Sequence, residues 1–125
     1  MSATERPAGV SATAVEASPG LWRTDLQRHD LSSPGWEVVQ TRVEIAPGSP
    51  AIRHFHHGEE VIYVLRGSLE YTVEGEPTRV CEPGDALTVP YGVHHSARNV
   101  GTDVAVELAT YVVEKGKPLL TKVTD

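Results

Sequence analysis

Helical periodicity is missing from this chain. No window of a dozen residues carries apolar side chains at i, i+3, i+4 and i+7, so helix is a minor component at most. Cysteine is nearly absent: Cys81 stands alone, which excludes an intramolecular disulfide. It falls inside a stretch that reads as a strand, Thr78 to Glu82, with no helix N-terminus to lower its thiol pKa. A structural role is therefore expected for it. No run of roughly 18 apolar residues exists, and no basic stretch followed by an apolar core opens the chain. The expectation is no membrane partner and a cytoplasmic location. Basic charge is scarce too, with 11 Lys and Arg against 17 Asp and Glu and a net charge of −6. A nucleic-acid partner needs a basic stripe to displace counterions, and none is present.

What the 125 residues do hold is valine, the most-used apolar residue, with 11 Gly and 9 Pro as punctuation. β-Branched residues cut by turn-formers predict short strands. Residues 1–20 are rich in Ala, Ser, Thr, Pro and Gly without periodicity, and are expected to be disordered. Residues 21–125 are expected to form one domain. Leu21 to Arg28 reads as an edge strand or one exchanged between copies, and Ser32-Ser33-Pro34-Gly35 as a turn. From Trp36 to Ala46, Val39, Thr41, Val43 and Ile45 alternate with Gln40, Arg42 and Glu44, the period of a half-buried strand. Pro47-Gly48 ends it in a turn. Further strands are predicted over Ile52 to His57, Glu60 to Arg66, Leu69 to Val73, Thr78 to Glu82, Leu87 to Val89, Val93 to Asn99 and Val104 to Val113, with Gly58-Glu59 as a tight turn. Many short strands at regular spacing predict an all-β closed barrel or jelly roll.

His54 and His56 are two apart on one predicted strand, so both imidazoles leave the same face. Glu60 begins the next strand, and His95 lies in a strand of its own. Nitrogen and carboxylate donors from several strands can converge on one ion at about 2.0–2.2 Å, and inward positions of a barrel point at a common axis. By alternation His57 and His94 face away, and His29 has no partner.

The spacing of these residues resembles the cupin family. Gly48, His54, His56, Glu60 and Gly67 match its first motif, G-x5-H-x-H-x3-E-x6-G, across residues 48–67. Gly84, Pro90, Gly92, His95 and Asn99 match its second, G-x5-P-x-G-x2-H-x3-N, across residues 84–99. The resemblance runs from Trp36 to Val113. It implies an antiparallel jelly-roll barrel of the cupin type with a metal near one mouth, and homodimers are common among single-barrel members. The motif glycines and proline read as turn residues, and Asn99 as a partner for turn backbone near Gly101.

Three imidazoles and one carboxylate, His54, His56, His95 and Glu60, form a borderline donor set. It accepts one divalent transition metal ion per chain: Fe, Mn, Ni, Co, Cu or Zn. Such a site keeps positions open for water or substrate. Positions in phase with the ligands, among them Val43, Ile45, Ile62, Val64, Leu69, Tyr71, Val73, Val106 and Leu108, predict an apolar lining. Glu60 and Tyr71 are the only inward acid/base groups expected, and both are candidate catalytic residues; the family resemblance implies that Glu60, a ligand, can also serve as base.

The first expectation is an oxygenase of the dioxygenase type acting on a small apolar, phenolic or enolic molecule. The chain looks closest to the small bacterial members described as quercetin-dioxygenase-like. A second is a metal, Zn or Mn, acting as Lewis acid to promote isomerisation, cyclisation or decarboxylation. A third is a non-catalytic binder of a metal or small ligand.

Overall fold

The structure is a computed structural model and describes residues 5–124. Alternating burial along the chain produces eleven strands and no helix among these residues. They are β1 (Val15–Ser18), β2 (Leu21–Asp30), β3 (Trp36–Ile45), β4 (His54–Phe55), β5 (Gly58–Arg66), β6 (Leu69–Val73), β7 (Arg79–Cys81), β8 (Ala86–Val89), β9 (His95–Asn99), β10 (Ala105–Glu114) and β11 (Thr121–Lys122). All pairings are antiparallel, in a six-stranded sheet ordered β1-β2-β3-β10-β5-β8 and a five-stranded sheet ordered β11-β4-β9-β6-β7. This is the expected jelly roll.

The two sheets enclose one core. Val39, Val43, Ile45, Ile62, Val64 and Val89 from the larger sheet meet Leu69, Tyr71, Val73 and Cys81 from the smaller. Cys81 is fully buried, and burial pushes its thiol pKa up. Asn99 closes one end: its amide nitrogen donates to the Ile45 and Asp103 carbonyls, each at 2.8 Å, and its oxygen accepts from Gly101 N at 2.8 Å.

Four expectations need correction. The segment expected to be disordered, residues 1–20, is ordered wherever it is described. Val10 and Ala14 pack on Trp22, Val104 and Val106 outside the large sheet. Ser11 N donates to both Glu44 carboxylate oxygens, at 3.2 and 3.0 Å. Composition undercounts such a segment because a few small apolar residues suffice when a tryptophan awaits them. Residues 1–4 lie outside the described residues.

Second, β2 is the sheet edge only in part: β1 pairs along Leu21–Arg23, and the rest of the strand pairs with β3 alone. Third, Gly58 is no turn but the first residue of β5, lying so close to β10 that a Cβ would stand 2.6 Å from the Val113 Cα.

The fourth concerns β10. Val106 and Leu108 do not face the cavity; Val106 belongs to the outer cluster under the N-terminal segment, and Leu108 is half-buried. The inward set is Ala105, Glu107, Ala109, Tyr111 and Val113. Because the N-terminal segment covers the outer face, that face is apolar too, and hydrophobicity alone assigns the strand to the wrong phase.

Candidate metal centre and adjoining cavity

The four expected ligands meet. One donor atom each from His54, His56, Glu60 and His95 lies within 4.8 Å of all the others. Both sheets contribute: His54 and His95 are directly paired on β4 and β9, Glu60 comes from β5, and His56 sits in the link between β4 and β5. Glu60 Oε1 is 3.0 Å from His56 Nε2 and 3.0 Å from His95 Nε2, and those two nitrogens are 3.2 Å apart.

Backbone carbonyls set the tautomers. His54 Nδ1 is 2.7 Å from the Ile52 oxygen, His56 Nδ1 is 2.7 Å from that of Leu119, and His95 Nδ1 is 2.9 Å from that of Val93. Each Nδ1–H therefore donates outward, and each Nε2 presents a lone pair inward. Three lone-pair nitrogens and a carboxylate oxygen aimed at one buried point repel one another unless a cation lies among them. This donor set fits a divalent transition metal.

Burial and the neighbouring His95 lower the His54 pKa to about 4, keeping its ring neutral. Burial opposes ionisation of Glu60, but the neighbouring His56 and His95 rings outweigh it and hold the carboxyl well below its usual range. His57 and His94 stay out of the cluster: His57 faces the Tyr91 ring at 6.4 Å, and His94 stacks on Phe55 at 5.3 Å.

Beside the cluster lies a cavity of about 90 Å³ lined by Leu21, Val43, Ile45, Ile52, Ile62 and Ala97, together with His54, Glu60 and His95. Tyr71 reaches it as expected. It does not act alone: its hydroxyl donates to Glu107 Oε1 at 2.8 Å, spanning from the small sheet to the large one. Burial, then the charge of Glu107, raises the Tyr71 pKa and keeps the phenol protonated. Glu107 also meets the Glu60 carboxyl; burial and the negative charge of Glu60 push its pKa well up. Tyr111 packs edge-on against His56 with ring centres 4.8 Å apart, and burial raises its phenol pKa as well. Arg23 and Lys122 complete the wall.

Glu107, Tyr111 and Arg23 escape the sequence reading. Glu107 carried a partial signal: an acid inside an otherwise largely apolar strand that ends on a second one, Glu114, and in phase with Ala105, Ala109 and Val113 rather than with the aliphatic run beside it.

A family model described as "Cupin domain" matches residues 41–121. Among curated proteins, 45 residues are 40% identical to "Dimethylsulfoniopropionate lyase DddQ" of Ruegeria pomeroyi, covering 36% of this chain and 22% of that protein. Another 60-residue match, 37% identical, is to "Polyketide synthase CurC" of Streptomyces cyaneus, covering 47% of this chain and 38% of that one. The matches thus span well under half of either relative. Among solved structures, KdgF from Halomonas sp. superposes with a TM-score of 0.67 at 24% identity, over 82% of this chain and 88% of that one, a likeness of fold.

Proposed function

The chain belongs to the cupin family, and from that premise we propose that it is a metal-dependent enzyme that moves a proton on a small organic substrate, in lyase or isomerase chemistry. The observation that carries this reading is Glu107: a second buried carboxyl, bonded to the Tyr71 hydroxyl at 2.8 Å, on the wall of the cavity that the metal cluster also faces. An oxygenase reading gains weight from a cavity without acid/base groups of its own, and this cavity has them. The relative named as a dimethylsulfoniopropionate lyase leans the same way.

His54, His56, Glu60 and His95 would hold the ion, which supplies Lewis acidity toward a substrate oxygen. The protein's own residues supply the rest. Glu60 would be committed to the ion, so the acid/base role passes to Glu107. Burial favours its protonated form, so it serves as general acid when it gives the proton and as general base when it takes one back. Tyr71 orients that carboxyl and relays through its hydroxyl. The apolar walls exclude water from the transfer.

Dioxygen chemistry stays as the second reading, because the same donors suit iron, nickel or manganese. One experiment separates them. Metal-loaded protein in D₂O is given small ketones, esters and carboxylic acids with acidic C–H bonds, and deuterium incorporation or elimination is followed by proton NMR beside an oxygen electrode. Exchange or elimination that fails in E107Q supports proton transfer; oxygen uptake without exchange supports the oxygenase. Neither, with every metal, overturns both and leaves a binding protein.

A homodimer in the cytoplasm is part of the proposal. On the outer face of β5, Val61, Tyr63 and Leu65 are 45%, 47% and 41% exposed, an apolar stripe a second copy would cover. Light scattering that returns a monomer at micromolar concentration ends that part. No helix of the described residues is long and apolar enough to cross a membrane.

A further inference from the structure

One cation on the cavity wall hydrogen-bonds only to hydroxyls and makes no direct ion pair, although it lies near enough to Glu107 to favour that carboxylate. Arg23 lies on the inward side of β2, beside Val43, which in turn neighbours Glu107 on β10. Its Nη2 donates to Thr41 Oγ1 at 3.3 Å and Tyr111 Oη at 3.4 Å, and its guanidinium carbon sits 5.6 Å from the centre of the Tyr111 ring. Arg28, Arg42, Arg53, Arg66 and Arg98 each pair with a carboxylate. Among the described residues Arg23 makes no such pair. The nearby acids are committed elsewhere: Asp25 accepts from the Thr41 hydroxyl at 3.5 Å, and Glu107 from Tyr71. A guanidinium carries five donors in a planar fork, and the long contacts to two hydroxyls leave most of them unused. The matching acceptor for such a fork is a carboxylate, bound through two parallel hydrogen bonds.

We propose that Arg23 anchors a carboxylate of the ligand, so that the cavity takes a small organic acid lying between Arg23 and the metal cluster. The apolar walls of Leu21, Val43 and Ile62 then hold a short carbon chain, and Lys122 near the mouth adds a second positive charge. This rests on the reading above only in that the cavity receives a small substrate. It does not depend on which reaction follows.

The test is binding, not turnover. Butyrate and its neutral isostere butyramide are titrated by calorimetry into zinc-loaded and zinc-free protein, for wild type, R23K and R23Q. The expectation is butyrate binding at least tenfold tighter than butyramide in wild type, and at least tenfold loss of butyrate affinity in R23Q. R23K keeps the charge without the fork and falls between. Zinc affinity stays within a few-fold throughout. Should R23Q fail to fold, a several-fold loss in R23K carries the test. Equal binding of acid and amide, unchanged butyrate affinity in R23Q or R23K, or no butyrate binding to wild type would each overturn the anchor. The deuterium experiment distinguishes the two proposals: Arg23-dependent butyrate binding with no proton exchange or elimination on any substrate keeps the anchor and removes the proton-transfer reading, whereas exchange that fails in E107Q, with butyrate binding indifferent to Arg23, does the reverse.

Discussion

Glu107 and Tyr71 form the buried pair to which the proposed proton transfer is assigned, and neither is tolerable alone. Removing the phenol in Y71F leaves a buried carboxyl short of its donor. Unfolding by urea should show a loss of about 1–3 kcal/mol, the cost of an unsatisfied buried acceptor. Replacement of both in Y71F/E107Q should cost less than the sum of the single changes, since residues in one hydrogen-bond network couple. Additivity within error would mean that the pair is not one unit. At the same scale, the four residues that come together as candidate ligands were readable in advance: two histidines at i and i+2, with the glutamate and third histidine at motif spacing, named them all. Glu107 was not, because in sequence it reads as a polar interruption on a surface position. Only the register of β10 against β3 and β5 shows which way it points.

Strand β10 makes the site possible as an element. It lies between β3 and β5, and the small Ala109 separates Glu107 from Tyr111 on its inward face, so both long side chains have room. Close approach of β5 at Gly58 sets the start of the strand that carries Glu60. G58A places a methyl group against the Val112 carbonyl and the Val113 Cα, both backbone and unable to yield cheaply. The two strands must part there, and the expected outcome is a loss of metal affinity along with a fall in Tm. An unchanged Tm and an unchanged metal isotherm would show the contact to be relaxed. Strand existence was legible from period 2 and Gly/Pro turns. The β1 and β11 additions were not: they are short, lie in polar surroundings, and owe their order to partners distant in sequence.

Over the whole molecule, two parts bear on stability. Residues 5–14 cover Trp22, Val104 and Val106, and deleting residues 1–14 should lower stability by roughly 1.5–3 kcal/mol, about one buried valine side chain. Dye binding to the exposed face should rise with it, and an unchanged melting curve would show the cover to be idle. The metal centre sets the pH response. In metal-free protein the His54 pKa is lowered to about 4 by burial, against about 6.5 when unfolded. The unfolded chain then binds the extra proton first, so the His54 contribution is full above about 6.5 and is lost as pH falls toward about 4, whereas Glu107, its pKa raised to about 8, contributes in the opposite sense, its share being lost as pH rises toward about 8. Glu60, also depressed, extends that loss further into acid. In E107Q, where the opposing titration is gone, urea midpoints that stay flat from pH 7 to about 4 would contradict this sign. Bound metal adds about 2.7 kcal/mol at a free concentration a hundred times its Kd.

The central claim is that four side chains from both sheets hold one cation, and metal stoichiometry after gel filtration tests it most directly. Wild-type protein loaded with zinc or iron and passed through the column should retain one equivalent per chain. H95A and E60A should retain less than a tenth of that while still eluting as folded protein. A full equivalent in either variant, or none in wild type, would contradict the assignment.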